Sequence, residues 1–192
     1  MRIIGGRSAG QILKAPKGLS VRPTPDLVRQ ALFNSLGERV VGTRVLELFG
    51  GTGALSLECL SRGAKQAVCL ELSGKHARFI KNNARFLGMG DQFQVRVQDV
   101  FVGVPKLLSE GVRFDLIVAD PPYGPKNGPK RSDSLAQKSL DDEHLPQLLV
   151  EDGLFILGHA KRDTLSIENG WKELKMLKHG DSLIRFLSRE TK

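Results

Sequence analysis

The chain has 192 residues, 40% hydrophobic and 26% charged, with 29 Lys and Arg against 21 Asp and Glu for a net charge of +8. That length builds one domain with a sizeable core, and the composition is that of a soluble globular protein with no apolar run of membrane-spanning length. Two cysteines, four scattered histidines and no C-x-x-C spacing exclude a disulfide framework and argue against a metal site.

Residues 2–14 read as a β-hairpin turning near Ser8-Ala9-Gly10, and Pro16 to Pro23 as a linker. Residues 1–30 carry Arg2, Arg7, Lys14, Lys17, Arg22 and Arg29 against Asp26 alone. Such a segment can contact phosphates, and the same charge would also protect an exposed hairpin edge. Only two apolar residues follow Arg2 before the glycines, so no secretory signal is expected. Thr24 reads as an N-cap with Pro25 at the first helical position, and Gly37 ends that helix. Val28, Ala31, Leu32, Ser35 and Leu36 share the face expected to pack on a sheet.

Arg44 to Phe49 reads as a strand running into Gly50-Gly51-Thr52-Gly53, with a helix from Ala54 to about Arg62. Glycines there let the backbone pass close to a ligand, and the helix start adds N–H groups and partial positive charge. The dinucleotide fingerprint needs a third glycine, where this chain has Ser56. Glu47, just before the turn, would repel a pyrophosphate but suits a cationic amino-acid group. A second strand spans Gln66–Leu70 and ends at Glu71, placed to accept ribose hydroxyls. A helix follows from about Gly74 to Leu87. A third strand, Phe93–Gln98, ends at Asp99, beside Val100, where an adenine amino group could bind. A short helix is expected near 104–109.

A fourth strand, 114–119, ends in Asp120-Pro121-Pro122-Tyr123. Asp120 can accept from an exocyclic amino group, the prolines stiffen the turn and leave its carbonyls free of competing N–H donors, and Tyr123 offers a face for a base. As a bare tetrapeptide this is also an ordinary turn. Four acids at the C-terminal ends of four successive strands make the pattern more specific than its members. Gly124 to Ser139 reads as a mobile loop or lid, Leu140 to Val150 as helical around Pro146, and Gly153–Leu157 as a fifth strand. Trp171–Leu177 and Ser182–Ser188 read as a closing antiparallel pair. Strands alternating with helices imply an α/β fold with a doubly wound, mostly parallel sheet. The whole reads as one domain, with 1–23 a basic extension and 24–192 the core.

Glu47-Leu48-Phe49-Gly50-Gly51-Thr52-Gly53, Glu71, Asp99 and Asp120-Pro121-Pro122-Tyr123 resemble the class I S-adenosylmethionine-dependent methyltransferases, which have a Rossmann-like fold. Met1-Arg2-Ile3-Ile4-Gly5-Gly6, Arg22-Pro23-Thr24-Pro25-Asp26-Leu27-Val28-Arg29, Leu60-Ser61-Arg62-Gly63-Ala64 and Gly180-Asp181-Ser182 narrow the resemblance to the bacterial small-subunit (16S) ribosomal RNA guanine-N2 methyltransferases. The family more often has Asp-Leu-Phe-Ala-Gly-Ser-Gly in the first motif, and often Tyr where His179 stands. The resemblance implies S-adenosylmethionine held by Glu47, Phe49, Gly50, Gly51, Gly53, Glu71, Leu72, Asp99, Val100 and Asp120. It implies methyl transfer at Asp120, Pro121, Pro122 and Tyr123, and RNA contacts from Arg2, Arg7, Lys14, Lys17, Arg22, Thr24 and Arg29. The expected setting is cytoplasmic, as a monomer acting on ribosomal RNA, free or in a partly assembled subunit. Two alternatives stay open: a DNA adenine-N6 or cytosine-N4 methyltransferase, and a non-catalytic RNA-binding assembly module.

Overall fold

The computed structural model describes residues 1–14, 24–123, 134–168 and 170–190. Along the chain come α1 (Asp26–Leu36), β1 (Arg44–Leu48), α2 (Ala54–Ser61), β2 (Gln66–Glu71), α3 (Gly74–Phe86) and β3 (Phe93–Val97). They are followed by α4 (Val100–Ser109), β4 (Phe114–Ala119), α5 (Leu135–Asp141), β5 (Leu149–Ala160), β6 (Trp171–His179) and β7 (Ser182–Arg189). The seven strands form one sheet in the order β3-β2-β1-β4-β5-β7-β6. β3, β2, β1, β4 and β5 are parallel; β7 runs antiparallel to β5, and β6 antiparallel to β7. The order reverses between β1 and β4, and ligands bind in the crevice beyond the strand ends at such a switch point.

Alternate residues of each inner strand feed two cores, as the period of two requires. Val45, Leu116, Val118 and Ile156 pack with α1, α2 and α3 on one face. Leu46, Ile117, Ala119 and Phe155 pack with α4 and α5 on the other.

Several boundaries differ from the sequence-based expectations. Residues 2–14 are joined by a single antiparallel bridge, Arg2 to Ile12, around a short turn at Gly6–Ser8. The arm folds back through its own backbone bonds, Ile3 N–H to Gln11 O and Leu13 N–H to Met1 O at 2.9 Å, and is docked on other elements: Ile4 N–H donates to Glu58, Ser8 N–H donates to Ser61 and Lys14 N–H donates to Asn83. Helix α1 begins one residue later than expected, with Pro25 at its cap, because the Thr24 hydroxyl is engaged elsewhere. Helix α4 begins at Val100: Asp99 caps it by accepting from Phe101 N–H at 2.8 Å, and Gly103, which reads as a breaker, instead allows close packing on Leu70.

The expected loop 124–139 contains the start of α5, capped by Ser134 and anchored by buried Ala136; residues 124–133 lie outside the described ones. The expected helix over 140–150 is absent. Asp142 instead accepts from the His144 and Leu145 N–H groups, a single tight turn spans Pro146–Leu148, and β5 starts at Leu149. The whole of the expected linker, with Lys17 and Arg22, also lies outside the described residues.

Candidate active site

The turn after β1 is tightly built. Gly51 and Gly53 have φ of 55° and 71°, a region that favours glycine, and Phe49 shares it at φ 58°. A bulky residue there costs about 1–3 kcal/mol and persists only where its surroundings enforce it, often at functional sites. Here the Phe49 ring meets Phe101 edge-on, with centroids 6.1 Å apart. Gly50 has no room for a side chain: a Cβ would lie 2.3 Å from Cys69 Sγ.

Beyond the turn is a cavity of about 350 Å³ lined by Phe49, Gly51, Glu71, Leu72, Ser73, His76, Asp99, Val100, Phe101, Asp120, Pro122 and Leu135. Its size suits a ligand of nucleoside-plus-amino-acid dimensions. Among the described residues no lysine or arginine lines it, and the one histidine that does, His76, faces Glu71 at 3.5 Å. That is poor chemistry for a pyrophosphate and good chemistry for hydroxyl and amino donors. Glu71 is fixed by accepting from Gly51 N–H at 2.6 Å and Ser73 N–H at 2.7 Å. A carboxylate has about four lone-pair sites, so acceptor capacity remains for a ribose.

Three residues assigned to the cofactor stand behind this wall. Gly50 and Gly53 shape the turn against β2 and α3, and neither lines the cavity. Glu47 is 3% exposed and accepts from Ser56 N–H at 3.1 Å, so its carboxylate fills the start of α2 instead of reaching the ligand space. This occupies the anion-binding end of the helix with the chain's own acid. Burial pushes the Glu47 carboxyl up to about 7, against the pull of hydrogen bonds from Ser56 and Leu55.

Asp120 lies where two spaces meet. It lines the 350 Å³ cavity, and it also lines a narrow apolar crevice of about 20 Å³ formed with Thr24, Val28, Tyr123, Gly158 and Ser182 among others. Asp120 is the one residue common to both linings. Its carboxylate accepts from the Thr24 hydroxyl. Burial raises its pKa, while hydrogen bonds from Thr24 and Tyr123 pull it back. Pro121 is buried, Pro122 is exposed at the cavity wall, and the hydroxyl of Tyr123, a residue 37% exposed, lies 3.1 Å from Ser182 Oγ. Thr24 and Gly158 were not assigned to this acid from the sequence. The one available signal was a glycine inside the β5 pattern, which often marks close approach.

The basic extension divides. Arg7 and Lys14 are exposed; Arg2 is 65% exposed and pairs with Asp26. Arg29 does not serve as a phosphate contact, because it is 0% exposed. It donates to Arg2 O at 2.6 Å and to Asp26 at 2.8 Å, and lies 3.6 Å from buried Glu58. A different cationic stripe is on the surface. Lys75, Arg78, Lys81 and Arg85 are exposed at i, i+3, i+6 and i+10 of α3, and among the described residues none has a carboxylate partner. That spacing without an acid was the readable signal. Among the described residues no group is placed to hold a metal ion, and no helix is long and apolar enough to cross a membrane.

A family model described as "Conserved hypothetical protein 95" matches residues 1–188. The "Putative rRNA methyltransferase YlbH" of Bacillus subtilis (strain 168) is 35% identical over 161 residues, covering 84% of this chain and 83% of that protein. The "Ribosomal RNA small subunit methyltransferase D" of Escherichia coli (strain K12) is 34% identical over 123 residues, 64% of this chain and 60% of its own length. Among solved structures, one described as "Putative methyltransferase yhhF from Escherichia coli" superposes with a TM-score of 0.82 at 26% identity, covering 100% of this chain and 99% of that one.

Proposed function

The chain belongs to the Conserved hypothetical protein 95 family, and from that premise we propose that it methylates the exocyclic N2 amino group of a guanine in small-subunit ribosomal RNA. It is an rRNA methyltransferase that uses S-adenosylmethionine. The observation that carries the finer reading is Asp120: a half-buried, proline-flanked acid on the wall of the cavity beside exposed Tyr123, where a methyl donor and a base amino group would have to meet.

When bound, S-adenosylmethionine would supply an electrophilic methyl group to the amino nitrogen, the bonding pair remaining on sulfur. Glu71 would accept the ribose hydroxyls and Asp99 the adenine amino group, with Phe49, Leu72 and Phe101 as apolar walls. A guanine amino group is a weak nucleophile because its lone pair is delocalised into the ring. Asp120 and the Pro121 carbonyl would each accept one of its N–H bonds, turning the lone pair towards the cavity. Alignment of this kind supplies most of the rate. The proton lost by nitrogen passes to Asp120 or to water. Tyr123 would stack the extruded or unpaired base, and the α3 stripe, with Arg7 and Lys14, would hold the RNA backbone. We infer that the chain works as a cytoplasmic monomer on small-subunit ribosomal RNA, free or in a partly assembled subunit.

The test is label transfer from methyl-labelled S-adenosylmethionine to small-subunit RNA, in subunit particles and protein-free, and to duplex DNA, followed by nucleoside analysis. N2-methylguanosine is the expected product. Label on adenine or cytosine, or only on DNA, would overturn the guanine reading. Absence of cofactor binding would favour a non-catalytic module.

A further inference from the structure

We propose that Thr24 and Gly158 are positioning residues for Asp120, Thr24 by holding one carboxylate oxygen and Gly158 by leaving room for the other. This rests on the reading that Asp120 receives the acceptor amino group.

The Thr24 hydroxyl donates to Asp120 Oδ2. On the opposite side the carboxylate presses against the backbone of β5. A Cβ on Gly158 would lie 2.7 Å from Asp120 Oδ1 and 3.2 Å from Cγ, closer than real side chains tolerate. The Thr24 hydrogen bond at one oxygen, a further hydrogen bond from Tyr123 and a glycine-only gap at the other oxygen leave the carboxylate plane little freedom, so its open lone pairs face one way. An aspartate without such support rotates about its last torsion, which is broad and roughly two-fold, and loses the alignment on which the transfer depends.

Thr24 is itself held. It immediately precedes α1, whose first turn is tied down by Arg29: its N–H bonds Pro25 O at 3.0 Å, and its buried guanidinium bonds Asp26 and Arg2 O. The hydroxyl therefore reaches Asp120 from an anchored segment. Among the described residues, neighbours able to change the charge of Asp120 are few. Tyr123 lies on its own turn, and Glu71, Asp99 and His76 lie across the cavity. α1, α2, β5 and β7 face it through the crevice with Thr24, Val28, Leu55, Ile156, Gly158, Ser182, Leu183 and Ile184, none of them ionised.

Thr24→Val keeps the shape and removes the donor; Thr24→Ser keeps the donor. The first readout is the carbon-13 titration of the Asp120 carboxyl in the cofactor-free chain, assigned with Asp120→Asn. Thr24→Val should titrate at higher pH, because the charged form loses a hydrogen bond, and Thr24→Ser should restore the original curve. The second readout is steady-state transfer. Thr24→Val and Gly158→Ala should each lower kcat by about tenfold to a hundredfold. KM for RNA and Kd for S-adenosylmethionine should stay within about threefold, and the acid limb of kcat should move up in Thr24→Val. An unmoved Asp120 titration in Thr24→Val, or a serine variant no better than the valine one, would overturn the proposal. If the wild-type chain methylates no RNA, the functional reading fails, while the titration still decides whether Thr24 holds Asp120.

Discussion

Glu47 is an acid that the fold keeps partly neutral. It is 3% exposed at the base of the glycine turn, and its carboxyl titrates at about 7 instead of the usual 4.5. In the unfolded chain it ionises near its ordinary value, so between those pH values the folded state holds a proton that the unfolded state has lost. Its contribution to stability is therefore fully present below about pH 4.5 and is lost as pH rises through about 7. A shift of roughly 2.5 units (7 less 4.5) corresponds to about 3 kcal/mol. Glu47→Gln retains the shape and the oxygen that accepts from Ser56 N–H, and removes the ionisation. Urea unfolding should give similar stabilities for the two chains at pH 4.5, and a variant about 3 kcal/mol more stable at pH 8. Stability curves that run parallel from pH 4.5 to 8 would refute the reasoning and place the Glu47 carboxylate in contact with solvent or a cation.

Arg29→Ala should cost about 3 kcal/mol, read from urea midpoints, because it removes a fully buried side chain and one of the two cations beside buried Glu58, Arg62 remaining at 2.8 Å; a loss below about 1 kcal/mol would contradict the burial. Replacing Lys75, Arg78, Lys81 and Arg85 together by Ala should weaken RNA binding and flatten the dependence of log K on log salt by about 0.7 per lost contact to single-stranded RNA. Stability should barely change; an unaltered salt slope would remove α3 from the RNA interface. His159 is buried, accepts from Arg185 Nε at 3.0 Å and contacts Ala160 O, and burial followed by the Arg185 charge holds its pKa below 6.5. Its contribution is present above about pH 6.5 and is lost as pH falls towards the folded value, so the Tm should drop on acidification in the wild type and less so in His159→Gln.

Much of the fold was legible because each local signal agreed with the next. Apolar strands ended in an acid or a glycine turn at β1 to β4, and the helices between them had clear stops such as Gly37. Where legibility failed, a side chain had two competing uses. Thr24 looks like a cap, but its hydroxyl is used by Asp120, 96 residues away. The helix expected near 104–109 starts earlier, at Val100, because Asp99 caps it and Gly103 packs on Leu70. Arg29 belongs by charge to a basic arm, and only the tertiary partners Glu58 and the Arg2 carbonyl show that it is interior. Glu47 sits where a ligand-binding acid would stand, and periodicity cannot say whether its carboxylate turns to the cavity or to α2.

The central claim is that Asp120 joins the cofactor space to the acceptor. Its most direct test compares the intact chain with Asp120→Ala in two measurements: calorimetric binding of S-adenosylmethionine, and methyl transfer to small-subunit ribosomal RNA with nucleoside analysis. The account predicts cofactor affinity within about tenfold of wild type and a loss of N2-methylguanosine formation of at least about a hundredfold. Transfer retained within a few-fold in the variant would contradict it.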